Sequence, residues 1–242
     1  MMVKTEAFVL RTLKYGDQRD IVDMFTREQG RLAFIVNVPR TARGRLKRQY
    51  FQPLTLLSVE TDLRPNQQLQ KLRDVSLRAP LAMLHDDPRK LAIALFLSEF
   101  LYHALKGEQQ NQPLFDYVAS GMEWLDGCRQ HFANFHLVFL MRLSRFLGFW
   151  PNLEGHDQPG MFFDMRSATF SASAPLHADY LMPQEAAAIG LLMRMDYASM
   201  HLFHMSRTQR SRVLEVLLLY YRLHLPDFPE LRSPDVLHDL FD

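Results

Sequence analysis

The sequence predicts a multidomain α+β protein: an N-terminal OB-type five-stranded β-barrel followed by an α-helical domain with a small β-hairpin insertion. Three observations predict it. Residues 1–80 fall into five short runs rich in β-branched and aromatic residues, separated by turn signals. From Asp87 onward, apolar residues recur at helical spacing. Charge divides at nearly the same place. Residues 1–80 hold 15 Lys+Arg against 8 Asp+Glu, a balance of +7, whereas residues 81–242 hold 13 against 19, a balance of −6. The predicted domains are therefore 1–80 and 81–242, with the change of regime at Ala79-Pro80.

The first strand is predicted over Val3–Leu13, ending at the Tyr15-Gly16-Asp17 turn signal. Ile21–Thr26 is the second, closed by Glu28-Gln29-Gly30. In the third, Arg31–Val38, the residues Leu32, Phe34, Val36 and Val38 share one face at period two. Leu54–Glu60 and Leu69–Leu77 are the fourth and fifth, with Pro65-Asn66 in the turn between them. Five strands with a long insertion after the third suit a Greek-key OB barrel; an SH3-like barrel or an open sheet fits the same strand count.

Asp87 is a predicted N-cap with Pro88 at the first helical position, and the helix runs to about Lys106, before Gly107. A second helix is predicted from Pro113 to about Leu125 and a third over Phe132–Leu147, stopped by Gly148 and Pro151. Residues 151–182 break the helical pattern, and two strand-like pieces, Met161–Met165 and Ala168–Ser171, predict a hairpin. Helices resume at Pro183–Arg194. Ser206 and Gln209 form a capping-box pattern for Arg207–Leu223, and Ser233-Pro234 opens a short closing helix that presents Val236, Leu237, Leu240 and Phe241.

Val38–Tyr50, between the third and fourth strands, carries Arg40, Arg43, Arg45, Lys47 and Arg48 and no acid. Such a segment buries almost nothing and repels itself, so it is either a solvated loop or a surface for a polyanion, of which nucleic acid is the usual one. The same domain adds Arg11, Lys14 and Arg31 as a supporting ring, with Lys4, Arg19 and Arg27 elsewhere on it. Tyr15, Phe25, Tyr50 and Phe51 lie near these charges. Cations for phosphates and flat faces for bases are what sequence-tolerant single-strand binding requires. Phe25, inside a strand, is expected in the core; Tyr50 and Phe51 suit a stacking platform or core packing equally. Tyr50 joins the five loop cations, Arg11, Lys14 and Arg31 as the candidate DNA-binding set.

Catalytic signals are sparse. There is no Gly-rich phosphate loop, and the one cysteine, Cys128, excludes an intramolecular disulfide framework. His201 and His204, like His131 and His136, lack further ligands in a matching frame, so no metal or other cofactor is expected. The N-terminal residues lack the apolar core of a signal peptide and the longest apolar runs are too short to span a bilayer, so a soluble, cytoplasmic protein without a membrane partner is expected.

Several stretches, in order, resemble the RecO family of bacterial recombination and repair proteins along essentially the whole chain. They are Phe8-Val9-Leu10-Arg11-Thr12 with Tyr15-Gly16-Asp17, then Phe25-Thr26-Arg27-Glu28-Gln29-Gly30-Arg31, the basic loop, and Phe51-Gln52-Pro53-Leu54. Arg142-Leu143-Ser144-Arg145-Phe146-Leu147-Gly148-Phe149 and Leu231-Arg232-Ser233-Pro234-Asp235-Val236-Leu237 extend the likeness into the back half. The resemblance implies an OB domain, a helical domain and no enzymatic activity. It implies binding of single- and double-stranded DNA and annealing of complementary strands. It also implies partnership with RecR and with the C-terminal tail of single-stranded DNA-binding protein (SSB), so that RecA is loaded in the nucleoid.

Many members of that family hold two Cys-x-x-Cys pairs after a Gly-Phe/Tyr-x-Pro segment. Here Phe149–Gly160 has no cysteine, and His156 with Asp157 cannot complete a four-ligand zinc site. The hairpin is expected to be held by packing, through Phe162, Phe163 and Phe170. The SSB tail is acidic and ends in an apolar residue, so its site should pair a hydrophobic pocket with a cation. Arg142, Arg145, Arg207, Arg210 and Arg212 are the candidates. Two other readings fit the same residues: an RNA-binding OB protein, and a protein–protein scaffold that uses the helical domain.

Overall fold

Strand β1 (Met2–Lys14) frames the first half of the chain because it is long enough to serve two antiparallel neighbours. Its first half pairs with β4 (Leu56–Asp62) and its second half with β2 (Arg19–Thr26). β3 (Gly30–Asn37) follows β2 in a hairpin, and β5 (Leu69–Leu77) pairs antiparallel with β4 and parallel with Ala33–Ile35 of β3. The order β1-β2-β3-β5-β4 closes on itself, the five-stranded OB-type barrel expected from the strand count. This computed structural model describes residues 1–38, 48–64, 66–234 and 237.

Alternation fills the barrel. Ala7, Val9, Val22, Met24, Phe34, Val36, Val38, Leu57 and Val59 point inward with Phe51, and Leu32, Tyr50, Leu72 and Val75 pack around them. β1 also buries its outer face at mid-strand, where Phe8 and Phe25 tilt against Phe115 at centroid distances of 5.3 and 5.6 Å. The β1–β2 register shifts between Val9 and Arg11. This bulge takes Leu10 out of the ladder, and its carbonyl accepts a 2.5 Å hydrogen bond from the Ser98 hydroxyl instead.

Ser98 and Phe115 belong to α2 (Pro88–Ala104) and α3 (Gln112–Gly127), which follow a short α1 (Ala82–Asp86). The Asp87 carboxylate accepts from the backbone amides of Arg89 and Lys90, so the predicted cap of α2 forms. Gly30, at φ 68°, opens β3 against the 108–109 backbone; a Cβ there would lie 2.2 Å from the Glu108 carbonyl oxygen. The chain divides into two compact units. One is Met1–Gly127 with the described residues after Glu230; the other is Cys128–Glu230.

The second unit holds α4 (Phe135–Phe146), α5 (Pro183–Arg194) and α6 (Arg207–His224). Both halves of the predicted capping box of α6 are made: the Ser206 hydroxyl accepts from the Gln209 amide, and the Gln209 side chain accepts from the Ser206 amide. The predicted hairpin, β6 (Phe162–Asp164) and β7 (Thr169–Ser171), gains a third strand, β8 (Tyr180–Leu181). Phe163 is buried 5.0 Å from the Phe170 ring and 6.1 Å from Tyr220, and Phe162 meets Tyr180 edge-on at 5.8 Å. Of the predicted closing helix, Leu237 is buried, while Val236, Leu240 and Phe241 lie outside the described residues.

Candidate nucleic-acid interface

Arg40, Arg43, Arg45 and Lys47 lie outside the described residues, but the two ends of their loop are placed. On one side the Val38 amide donates to the Gln18 carbonyl at 2.8 Å. On the other, the Thr12 hydroxyl donates to the Phe51 carbonyl at 2.9 Å, and the Phe51 amide donates to Arg48. Both ends are thus fastened to the β1–β2 hairpin, one at its turn and the other at Thr12 of β1. That turn exposes Lys14, Tyr15 and Arg19, with the Arg19 guanidinium 5.8 Å from the Tyr15 ring. Arg48 is exposed, and its Nε stands 3.8 Å from the buried Asp20 carboxylate. Tyr50 is half-buried and packs against the barrel core, and Phe51 is part of that core.

Arg11 and Arg31 have further attachments. The Arg31 guanidinium stacks 3.9 Å above the Tyr102 ring, donates to the Tyr102 carbonyl at 2.5 Å and lies 3.8 Å from Asp23. Arg11 donates to the Tyr102 hydroxyl at 3.0 Å, with its guanidinium 4.9 Å from the same ring. Burial pushes the Asp23 carboxyl above its ordinary value, and Arg31 and Arg11 draw it back. Sequence gave no sign of Tyr102, since 71 residues separate it from Arg31. Nor did it single out Arg19 and Tyr15 as the turn beside the loop, which only the Val38–Gln18 hydrogen bond discloses.

The five arginines of the helical half separate into different settings. Arg142 donates twice to the Met195 carbonyl, at 2.8 and 3.1 Å. Arg210 donates to the Met205 carbonyl at 2.7 Å, and burial lowers its pKa below the ordinary guanidinium value. Arg145 and Arg207 are exposed. Arg212 lines an apolar cavity of about 620 Å³ between α5 and α6, with Ile189, Leu192, Val213 and Val216 in its walls. It donates from Nε to Glu185 at 2.7 Å and from Nη1 to Glu215 at 3.1 Å, and these bonds raise its pKa.

Comparison with known proteins decides the family. Residues 1–81 match the model described as Recombination protein O N terminal, and residues 85–233 match Recombination protein O C terminal. Proteins named DNA repair protein RecO from Phocaeicola vulgatus and Bacteroides fragilis are each 51% identical over the full length of both chains. The protein of that name from Porphyromonas gingivalis is 34% identical, again over the full length of both chains.

The chain belongs to the RecO family. Its role is therefore in DNA repair. The RecO-type barrel and helical region expected from the resemblance are both present. Zinc does not fit the segment where many RecO proteins carry cysteines. His156 turns Nδ1 to the Leu153 carbonyl at 2.7 Å, and among the described residues no group of three or more His, Cys, Asp or Glu side chains is arranged to hold a metal ion. Among those residues, too, no helix is long and apolar enough to cross a membrane.

Proposed function

We propose that this RecO-family chain is a non-enzymatic repair and recombination mediator, acting in the cytoplasm at the nucleoid. It binds single- and double-stranded DNA, anneals complementary strands and, with RecR, helps load RecA onto SSB-coated DNA. The observation that carries this reading is the attachment of both ends of the cationic loop to the β1–β2 hairpin, whose tip exposes Lys14, Tyr15 and Arg19. Five loop cations and this rim make a surface that neutralises phosphates without reading sequence, which is what pairing two strands demands. Residues 1–80 supply this nucleic-acid module, with Arg11 and Arg31 bracing it through Tyr102, and residues 81–242 supply partner contacts.

The α5–α6 cavity is the best match to the SSB tail, because it joins one of the five candidate arginines, Arg212, to an extensive apolar lining. A tail carboxylate entering there competes with Glu185 and Glu215 for Arg212.

Strand annealing on SSB-coated DNA, with and without RecR, tests the reading. Annealing faster than the spontaneous reaction, stimulated by RecR, is expected. A protein that shifts no short single-stranded DNA in a gel at low salt refutes it in favour of a scaffold. Stronger retention of RNA than of DNA points instead to an RNA-binding OB protein.

A further inference from the structure

At the foot of the basic loop is a pocket of about 400 Å³, within the range of small-ligand clefts, about 300–1,000 Å³. A larger share of its lining than of the α5–α6 cavity's carries hydrogen-bonding groups: Gln49, Tyr50, Gln52, Thr55, His85 and Asp86 all contribute. All belong to the unit that contains the barrel. His85 is already committed, since its two ring nitrogens face the Leu81 and Pro53 carbonyls at 3.2 and 2.9 Å. Its role is to brace the wall. Thr55 is different. It is 5% exposed, yet its hydroxyl, itself buried, has no hydrogen-bond partner. Buried polar groups left unpaired are few in folded proteins, and each calls for an explanation.

The backbone around Thr55 is held in an uncommon shape. Leu54, fully buried, adopts φ 57°, a conformation that L residues rarely take. Its amide donates to the Val9 carbonyl, and the Val9 amide donates to the Thr55 carbonyl, so the turn is clamped to β1. Such conformations persist where surrounding structure over-determines them, and they concentrate at ligand clamps.

We infer that this pocket takes one unstacked nucleobase of a single DNA strand bound along the basic loop. A base needs a flat face and edge partners. Tyr50, packed on the barrel core, offers the first. Gln49 and Gln52 carry amides that both donate and accept, Asp86 accepts from exocyclic amines, and the Thr55 hydroxyl completes the edge. Arg48, exposed two residues before Tyr50, is placed for the adjoining phosphate. The Asp86 carboxylate at the rim of the pocket disfavours a phosphate there and leaves a base as the matching part of a nucleotide. The inference rests on the reading that the chain binds single-stranded DNA. It adds that one base, as well as the backbone, contributes to affinity.

The test compares a short natural oligonucleotide with an abasic oligomer of the same length by fluorescence anisotropy. Stacking on an aromatic side chain is worth about 1–3 kcal/mol per base, so the natural strand is expected to bind about 5–150-fold more tightly. Tyr50→Leu, which keeps apolar packing on the barrel, removes most of that advantage, weakening the natural strand far more than the abasic one. Thr55→Val deletes the unpaired hydroxyl at nearly constant volume. Its melting temperature is expected to hold or rise, while affinity falls a few-fold for the natural strand alone. Equal binding of the two oligomers by the wild type overturns the base pocket and leaves phosphate binding standing. So do variants that weaken both oligomers alike. If neither oligomer binds, DNA binding itself fails, and the pocket fails with it.

Discussion

Arg31 and Arg48 show how differently two cations of the same barrel are used. Arg31 is 17% exposed at its side chain and joins a stacked ring, a backbone carbonyl and Asp23. Arg48 is 45% exposed, with one ion-pair contact at 3.8 Å. Removing a charged hydrogen-bonding group from a half-buried network leaves its partners unpaired, so Arg31→Ala should cost about 2–3 kcal/mol in urea denaturation. Arg48→Ala should stay within about 0.5 kcal/mol of the wild type and act on DNA affinity instead. The Arg31 effect also has a sign in pH. Burial raises the Asp23 carboxyl in the folded state, so ionised Asp23 opposes folding above that raised pKa. Without Arg31 this opposition grows, and the deficit of Arg31→Ala should narrow as pH falls and Asp23 takes up its proton. A deficit that is equal in acid and at neutral pH contradicts the coupling. The cationic character of this face was legible in the sequence because it is compositional. The division of labour was not, because Tyr102 reaches Arg11 and Arg31 across 91 and 71 residues.

At the scale of strands and helices, local chemistry carried most of the information. The five barrel strands and the long helices lie within a few residues of their predicted spans, because period-two and helical patterns are written in consecutive residues. Asp87-Pro88 and the Ser206–Gln209 box mark two helix starts correctly for the same reason. What escaped was too short to have a period: α1, β8 and a 3₁₀ turn at Met200–Leu202. The β1 bulge escaped too, since it depends on Ser98 being available 88 residues away. One ionic junction ties several elements together. Glu6 on β1 accepts from Arg78 at 2.5 Å and from Arg27 at 2.9 Å, and Arg27 also pairs with Asp116 of α3 at 2.7 Å. The Arg78 hydrogen bond is the largest cause that holds Glu6 below its ordinary pKa of 4.5, with Arg27 adding to it against partial burial. A carboxylate depressed in the folded state stabilises it above the unfolded pKa, and that gain disappears as pH falls through the lower folded value. Glu6→Gln should therefore cost about 1 kcal/mol or less near neutrality, given the exposure of the site, and nothing once Glu6 is protonated in the parent. Stability curves of the two proteins against pH should converge on the acid side; parallel curves would show that the junction is electrostatically idle.

For the molecule as a whole, the near-zero net charge conceals the property that matters. A chain of +1 overall has no general attraction for DNA, yet its first 80 residues carry +7 and concentrate five of those cations within Val38–Tyr50. Binding should then depend on local counterion release rather than on total charge, and it should lose affinity steeply with salt. If the five loop cations each displace one counterion from a single strand, log affinity should fall against log salt with a slope near −3.5, at about −0.7 per phosphate. Replacing Arg40, Arg43, Arg45, Lys47 and Arg48 together with Ala turns the first 80 residues from +7 to +2. The slope should flatten markedly, to what the rim cations alone sustain, while the circular dichroism spectrum and urea midpoint stay close to those of the parent, because the barrel core is built from other residues. Residual affinity in that variant would report what the rim of Lys14, Arg19 and Tyr15 contributes by itself. A slope unchanged by the fivefold substitution would move the phosphate-binding surface away from this loop altogether, whatever the affinity.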